Sequence, residues 1–157
     1  MRIGLFRHGV AEDVARSDFD RRLTPGGAAE VPRMAEVMRR AGYRPATILH
    51  SPLVRTTQTA ALLHERFPEA RKVELEALAW PDLDEILRFC AGIPDPLLVG
   101  HEPTLGRLCG RLIGAPDGAT PMERAGFVLV DVDRIPTTRP GRLRLFLHPA
   151  VAPPDQP

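Results

Sequence analysis

A chain of 157 residues with 43% hydrophobic content is the size of one domain and can bury a core without disulfides or a structural metal. Its net charge of +1 comes from 21 basic and 20 acidic side chains interspersed along the sequence, which argues against nucleic acid or an anionic membrane surface as a partner. No apolar run approaches the roughly 18 residues of a membrane span. Met1 leads into a strand without a charged leader and apolar h-region, so a cytoplasmic protein is expected.

In chain order, the first element is the apolar run that ends in Phe6-Arg7-His8-Gly9. It reads as a buried strand delivering a cation, an imidazole and a glycine at its carboxyl end. Arg7 offers a planar, permanently charged fork suited to phosphate oxygens, and His8 a nitrogen that can be nucleophilic near neutral pH. Gly9 allows close approach of the backbone to a ligand. Together the three types suggest phosphoryl transfer. Val31, Met34, Ala35 and Met38 then follow i, i+3, i+4, i+7 spacing and predict a helix despite Pro32, with Thr24 as N-cap, Pro25 at the first helical position and Gly42 beyond the end.

A second strand is expected at 46–50. Ser51-Pro52 repeats the cap-then-proline signature before a helix carrying Leu53, Ala60, Leu63 and Phe67, which puts Arg55 near its first turn. A third strand at 72–75 precedes a short helix capped by Asp82 and carrying Leu83, Ile86, Leu87 and Cys90. A fourth strand at 96–100 precedes a helix begun by Pro103 and carrying Leu105, Leu108, Cys109 and Leu112. Cys90 and Cys109, the two cysteines, have no CxxC or Cys/His companion and read as buried free thiols. Residues 127–132 and 143–147 predict two further strands, antiparallel at an edge, with Leu143, Leu145 and Leu147 on a buried face. The tail from Pro149 is proline-rich and aperiodic and is expected to be poorly ordered. The alternation implies an α/β protein: a single three-layer domain over residues 1–148, with a mostly parallel central sheet flanked by helices, and a flexible tail at 149–157.

Val99-Gly100-His101-Glu102-Pro103 repeats the design of the first motif, an apolar strand ending in a histidine ahead of a helix. In open parallel sheets ligands gather outside the carboxyl ends of the strands, where helix N-termini also aim N–H groups at anions. Arg7, His8, Arg55 and His101 can converge there. No metal is expected, because Arg7 beside His8 repels a divalent cation and no carboxylate has ligand spacing.

Leu-Phe-Arg7-His8-Gly9, Ser51-Pro52-Leu-Val-Arg55-Thr-Thr-Gln-Thr and Val-Gly-His101-Glu-Pro, in that order, resemble the histidine phosphatase superfamily over residues 2 to about 112. Asp20-Arg21-Arg22-Leu23-Thr24-Pro25-Gly26 and the short chain resemble its SixA-type phosphohistidine phosphatases. The resemblance implies that His8 is the nucleophile, forming a phosphohistidine enzyme intermediate that water hydrolyses, and that Arg7, Arg55 and His101 hold the phosphoryl oxygens. Arg21, matching the family's Arg before Leu-Thr, is a further candidate phosphate contact, with Arg22 the fallback. Larger members use a carboxylate as general acid, for which Glu76 and Glu102 are the candidates.

The elementary chemistry agrees, since phosphoryl transfer needs in-line positioning and compensation of oxygen charge, both of which guanidinium forks supply. His8 must be neutral to attack while His101 is expected to act best protonated, so their pKa values should be split. Gln58 either orients Arg55 or faces water, and His50, His64 and His148 receive no catalytic role. The expected activity is that of a metal-independent phosphatase without cofactor, acting on phosphohistidine in a protein such as a histidine-containing phosphotransfer protein. The alternatives are a small-molecule phosphomonoesterase and a non-catalytic phosphate-binding regulatory module. Intact His8 argues against the last.

Overall fold

In the computed structural model, which describes residues 1–154, the apolar runs form a six-stranded mixed sheet. The strands are β1 (Arg2–Arg7), β2 (Thr47–His50), β3 (Arg71–Glu74), β4 (Pro96–Gly100), β5 (Phe127–Asp131) and β6 (Arg142–Leu147), in the spatial order β3-β2-β4-β1-β5-β6. β3, β2, β4 and β1 run parallel. β5 pairs antiparallel with both β1 and β6, giving the edge the sequence predicts. The parallel strands connect through α1 (Pro25–Arg40), α2 (Val54–Arg66) and α3 (Leu83–Cys90), and α4 (Thr104–Ile113) follows β4.

Strand alternation divides the core into two layers. On one face Phe6, Ile48, Leu97, Val99 and Phe127 meet Val31, Met34 and Met38 of α1 and Ala60 and Leu63 of α2. On the other, Ile3, Leu5, Leu49, Leu98 and Val128 meet Ile86 and Cys90 of α3 and Leu105, Leu108 and Cys109 of α4. Both cysteines are free and buried, and burial pushes the Cys90 thiol up to about 12. No described helix is long and apolar enough to cross a membrane.

Most end signals act as read. Thr24 accepts from Gly27 N at 3.0 Å, and Asp82 caps α3 by accepting from Glu85 N at 3.0 Å. Ser51 does not cap: α2 begins three residues later, after Leu53, which makes no side-chain cap bond. Leu143 also departs from expectation. A register shift between the Leu129 and Val130 pairings breaks the alternation of β6, so Leu143 is 41% exposed while Leu145 and Leu147 pack on the core. In the tail, Pro149–Val151 forms one 3-10 turn capped by His148 Nδ1, and Pro153 and Pro154 line a cavity with α1; the expectation for 155–157 lies outside the described residues.

Two glycines set how closely α1 approaches the end of β1. A Cβ on Gly27 would lie 2.1 Å from the Val10 carbonyl oxygen, and one on Gly9 2.8 Å from that of Gly27. Both neighbours are backbone, so the first turn of α1 can lie against the segment after His8 only if these positions lack side chains. Gly27→Ala is expected to destabilise the fold by about 2 kcal/mol through overpacking, read by denaturant unfolding.

Candidate active site

The sheet register assembles the site. Arg7 and Gly100 are paired across β1 and β4, so the next residues, His8 and His101, are neighbours, with ring centroids 5.2 Å apart. His50 pairs with Val99 across β2 and β4, which brings Ser51 beside the end of β4. Arg55 reaches the same point from the first turn of α2, and its side chain is only 8% exposed. Arg7, His8, Arg55 and His101 thus meet at the carboxyl edge, as the motifs predict.

Each group is held by specific partners. His8 is buried and its Nδ1 lies 2.7 Å from the Gly9 carbonyl oxygen. A carbonyl only accepts, so Nδ1 carries the proton and Nε2 keeps its lone pair. Arg7 donates from one terminal nitrogen to Met122 O at 2.7 Å. Gly9 N donates to Thr59 Oγ1, which donates to Arg55 O, tying α2 to the segment after His8. His101 Nε2 lies 2.9 Å from Ser51 Oγ. Among the described residues three buried side-chain nitrogens find no partner: Arg7 Nε, Arg55 Nε and His101 Nδ1.

The candidates outside this cluster fare differently. Arg21 donates to Glu12 O at 2.6 Å and to the Asp18 carboxylate at 3.1 Å. Asp18 is the residue that sequence reasoning misses. It accepts from Arg55 through its carbonyl at 2.7 Å and through its carboxylate at 3.1 Å, joining both arginines from an exposed loop. Arg21 therefore reaches the cluster through Asp18, whereas Arg22 is exposed. Gln58 neither orients Arg55 nor merely faces water: its Oε1 accepts from Leu23 N at 2.8 Å and anchors the returning end of that loop.

Glu102 accepts from Gly106 N at 2.9 Å and also from the backbone of Met122, the residue whose carbonyl holds Arg7. Burial raises its carboxyl pKa, while these N–H groups and the nearby Arg7 charge oppose the rise. Glu76 is an exposed residue in the 3-10 turn Glu76–Leu78 after β3. Among the described residues no group of three or more His, Cys, Asp or Glu is arranged to hold a metal ion.

The pKa values are not split as the sequence reading expects. Burial pushes His8 down to about 3, with the His101, Arg55 and Arg7 charges adding to the fall and the Gly9 carbonyl opposing it. Burial and then Arg55 push His101 down to about 4, against the opposing charge of Asp18. Desolvation beside two guanidiniums disfavours a positive charge on either ring. Such a site can accept an anion on guanidinium and N–H donors and present an unprotonated imidazole nitrogen to it.

Comparison with known proteins agrees with the motifs. The family model described as the histidine phosphatase superfamily (branch 1) matches residues 3–88, and the chain belongs to this superfamily. An uncharacterized protein of a Picosynechococcus strain is 36% identical over 120 residues, covering 68% of this chain and 69% of that protein. Among solved structures, an Agrobacterium tumefaciens protein assigned as phosphohistidine phosphatase SixA is similar, with 27% identity and a TM-score of 0.78 over 94% of this chain and 97% of that one. The protein histidine phosphatase SixA complexed with tungstate has a TM-score of 0.84 at 24% identity, covering 96% and 99%. An Escherichia coli protein assigned as an alpha-ribazole-5′-P phosphatase reaches 0.75 at 17%, covering 95% and 97%. The last two likenesses are of fold.

Two predictions follow from this electrostatic arrangement. The folded His8 and His101 bind protons only below about 3 and about 4, against 6.5 for an ordinary histidine. The unfolded chain therefore binds more protons across this window, and stability should rise with pH from about 4 to 6.5 and then level. Denaturant midpoints measured against pH should show this slope, and it should flatten in the His8→Ala, His101→Ala double variant. The Asp18 carboxylate also competes with any anion for Arg55. Asp18→Asn keeps the carbonyl contact and removes the charge, so tungstate should bind several-fold more tightly by calorimetry.

Proposed function

We propose that this protein is a metal-independent phosphatase that dephosphorylates phosphohistidine on another protein, with His8 as nucleophile. The observation that carries the reading is the His8–Gly9 bond, which leaves Nε2 as a lone pair among two guanidiniums and a second imidazole. Nε2 attacks phosphorus in line, forming an N–P bond to His8 as the substrate's P–N bond breaks, and the departing imidazole nitrogen takes a proton from solvent. Water then attacks phosphorus as the His8 N–P bond breaks, returning one proton to solvent, releasing inorganic phosphate and restoring neutral His8 with its Nδ1 proton still on the Gly9 carbonyl. Arg7, Arg55 and His101 hold the oxygens as charge shifts between the attacking and leaving atoms. Arg21 supports Arg55 through Asp18 rather than as a direct phosphate contact.

Substrate choice is supported by the carboxylates. An imidazole departs far more easily than an alkoxide and needs less help from an acid. Glu102 is occupied by the N–H groups of Gly106 and Met122, which suits it to bracing Arg7, and Glu76 belongs to the exposed turn after β3. The donor would be a histidine-containing phosphotransfer protein in the cytoplasm. A small-molecule phosphomonoesterase is the second reading, favoured by the likeness of fold to the alpha-ribazole-5′-P phosphatase.

His8→Ala should abolish turnover while tungstate still binds, because both arginines remain; activity within about tenfold of wild type, about 1.4 kcal/mol in the barrier, would remove His8 from this role. Turnover of phosphohistidine peptides should persist in chelator. Glu102→Gln, which loosens the bracing of Arg7, should slow phosphohistidine and alkyl phosphates by similar factors, and Glu76→Gln should slow neither. A loss confined to alkyl phosphates would make the substituted carboxylate a general acid and remove this support for the phosphohistidine preference.

A further inference from the structure

Ser51 looks like a helix cap in the sequence and is not one in the fold. It is 0% exposed, one residue beyond β2, with its Oγ 2.9 Å from His101 Nε2. A buried hydroxyl needs an acceptor for its proton. Among the described residues the other bond to this oxygen is from Leu53 N at 3.4 Å, in which Oγ itself accepts. The hydroxyl proton therefore goes to Nε2. A ring nitrogen that accepts carries no hydrogen, so the proton of neutral His101 lies on Nδ1, the buried nitrogen left without a partner.

We propose that Ser51 is a positioning residue that holds His101 as a neutral Nδ1–H donor to a phosphoryl oxygen, rather than as an imidazolium. This rests on the reading that His101 holds the phosphoryl group. The surroundings favour it: Arg7 from β1 and Arg55 from α2 oppose a positive ring, His8 stands beside it, and Asp18 of the exposed loop draws it the other way. An imidazolium would donate from both nitrogens, turning Ser51 into an acceptor and leaving its buried proton unpaired. The ring donates a hydrogen bond and transfers no proton, so its state is the same before binding and after phosphate leaves.

Nitrogen NMR of the wild-type protein at pH 7, with His101 assigned by its loss in His101→Ala, decides the tautomer. The expected result is a protonated Nδ1 and an unprotonated Nε2, both in the free protein and with tungstate bound. A protonated Nε2 in either state overturns the proposal, whether or not variants fold. Ser51→Ala should lose the tautomer preference and weaken tungstate binding by about ten- to a hundredfold with little change in thermal midpoint, and Ser51→Thr should recover most of the affinity. Unchanged affinity in Ser51→Ala also overturns it. If His101→Ala binds tungstate normally, the phosphate-holding role of His101 fails instead, independently of the tautomer measured.

Discussion

The pairing of Arg7 with Gly100 across two parallel strands is the constraint on which the site depends. It makes His8 and His101 adjacent where β1 and β4 end, beyond the reach of further ladder bonds. A slip of one residue would reverse every side chain of the strand between the two faces, carrying Leu5 and Phe6 out of their separate core layers. The register is thus enforced by apolar burial on both faces of the sheet, and the site inherits its geometry from the core.

That burial also sets the electrostatics. Two guanidiniums and two imidazoles share one edge, and the carboxylate paired with Arg55 comes from Asp18, a side chain 67% exposed. The fold meets this imbalance partly by keeping both rings neutral and partly by giving Arg7 and Arg55 carbonyl partners at Met122 and Asp18. Hydrogen bonds to carbonyls satisfy guanidinium donors without cancelling their charge. The site therefore keeps a positive potential for an incoming anion, with an exposed carboxylate as the contact most easily displaced.

Much of this was legible in the sequence because strand-end residues need only the apolar run and its abrupt stop to be placed. Arg7, His8, Arg55 and His101 fall where periodicity and the motifs put them. Asp18 was not legible, since it lies in an aperiodic loop whose path is set by Gln58 holding Leu23 and by Arg55 itself. Ser51 was misread for a related reason. Cap-then-proline describes local preference, but β2 carries Ser51 next to an imidazole, and that tertiary partner takes the hydroxyl a cap would use. The split of histidine pKa values failed because it was argued from roles, whereas burial acts on both rings alike.

The connection between β3 and β4 bears on whether phosphorylated His8 would be hydrolysed or preserved. It holds the short 3-10 turn and α3, and α3 commits Ile86 and Cys90 to the core beneath the sheet. The buried residues of this eight-residue helix, Ile86 and Cys90, are thus committed to the core. Trp80, at the bend between the turn and α3, is 64% exposed. On the proposed reading, a site flanked by such a connection lets water reach the phosphoryl group on His8, which favours release of phosphate over its return to a second acceptor. It also leaves room for a side chain on the surface of a folded protein. On that reading, hydrolysis and a protein-borne substrate would both trace to a connection whose apolar residues are spent on the core.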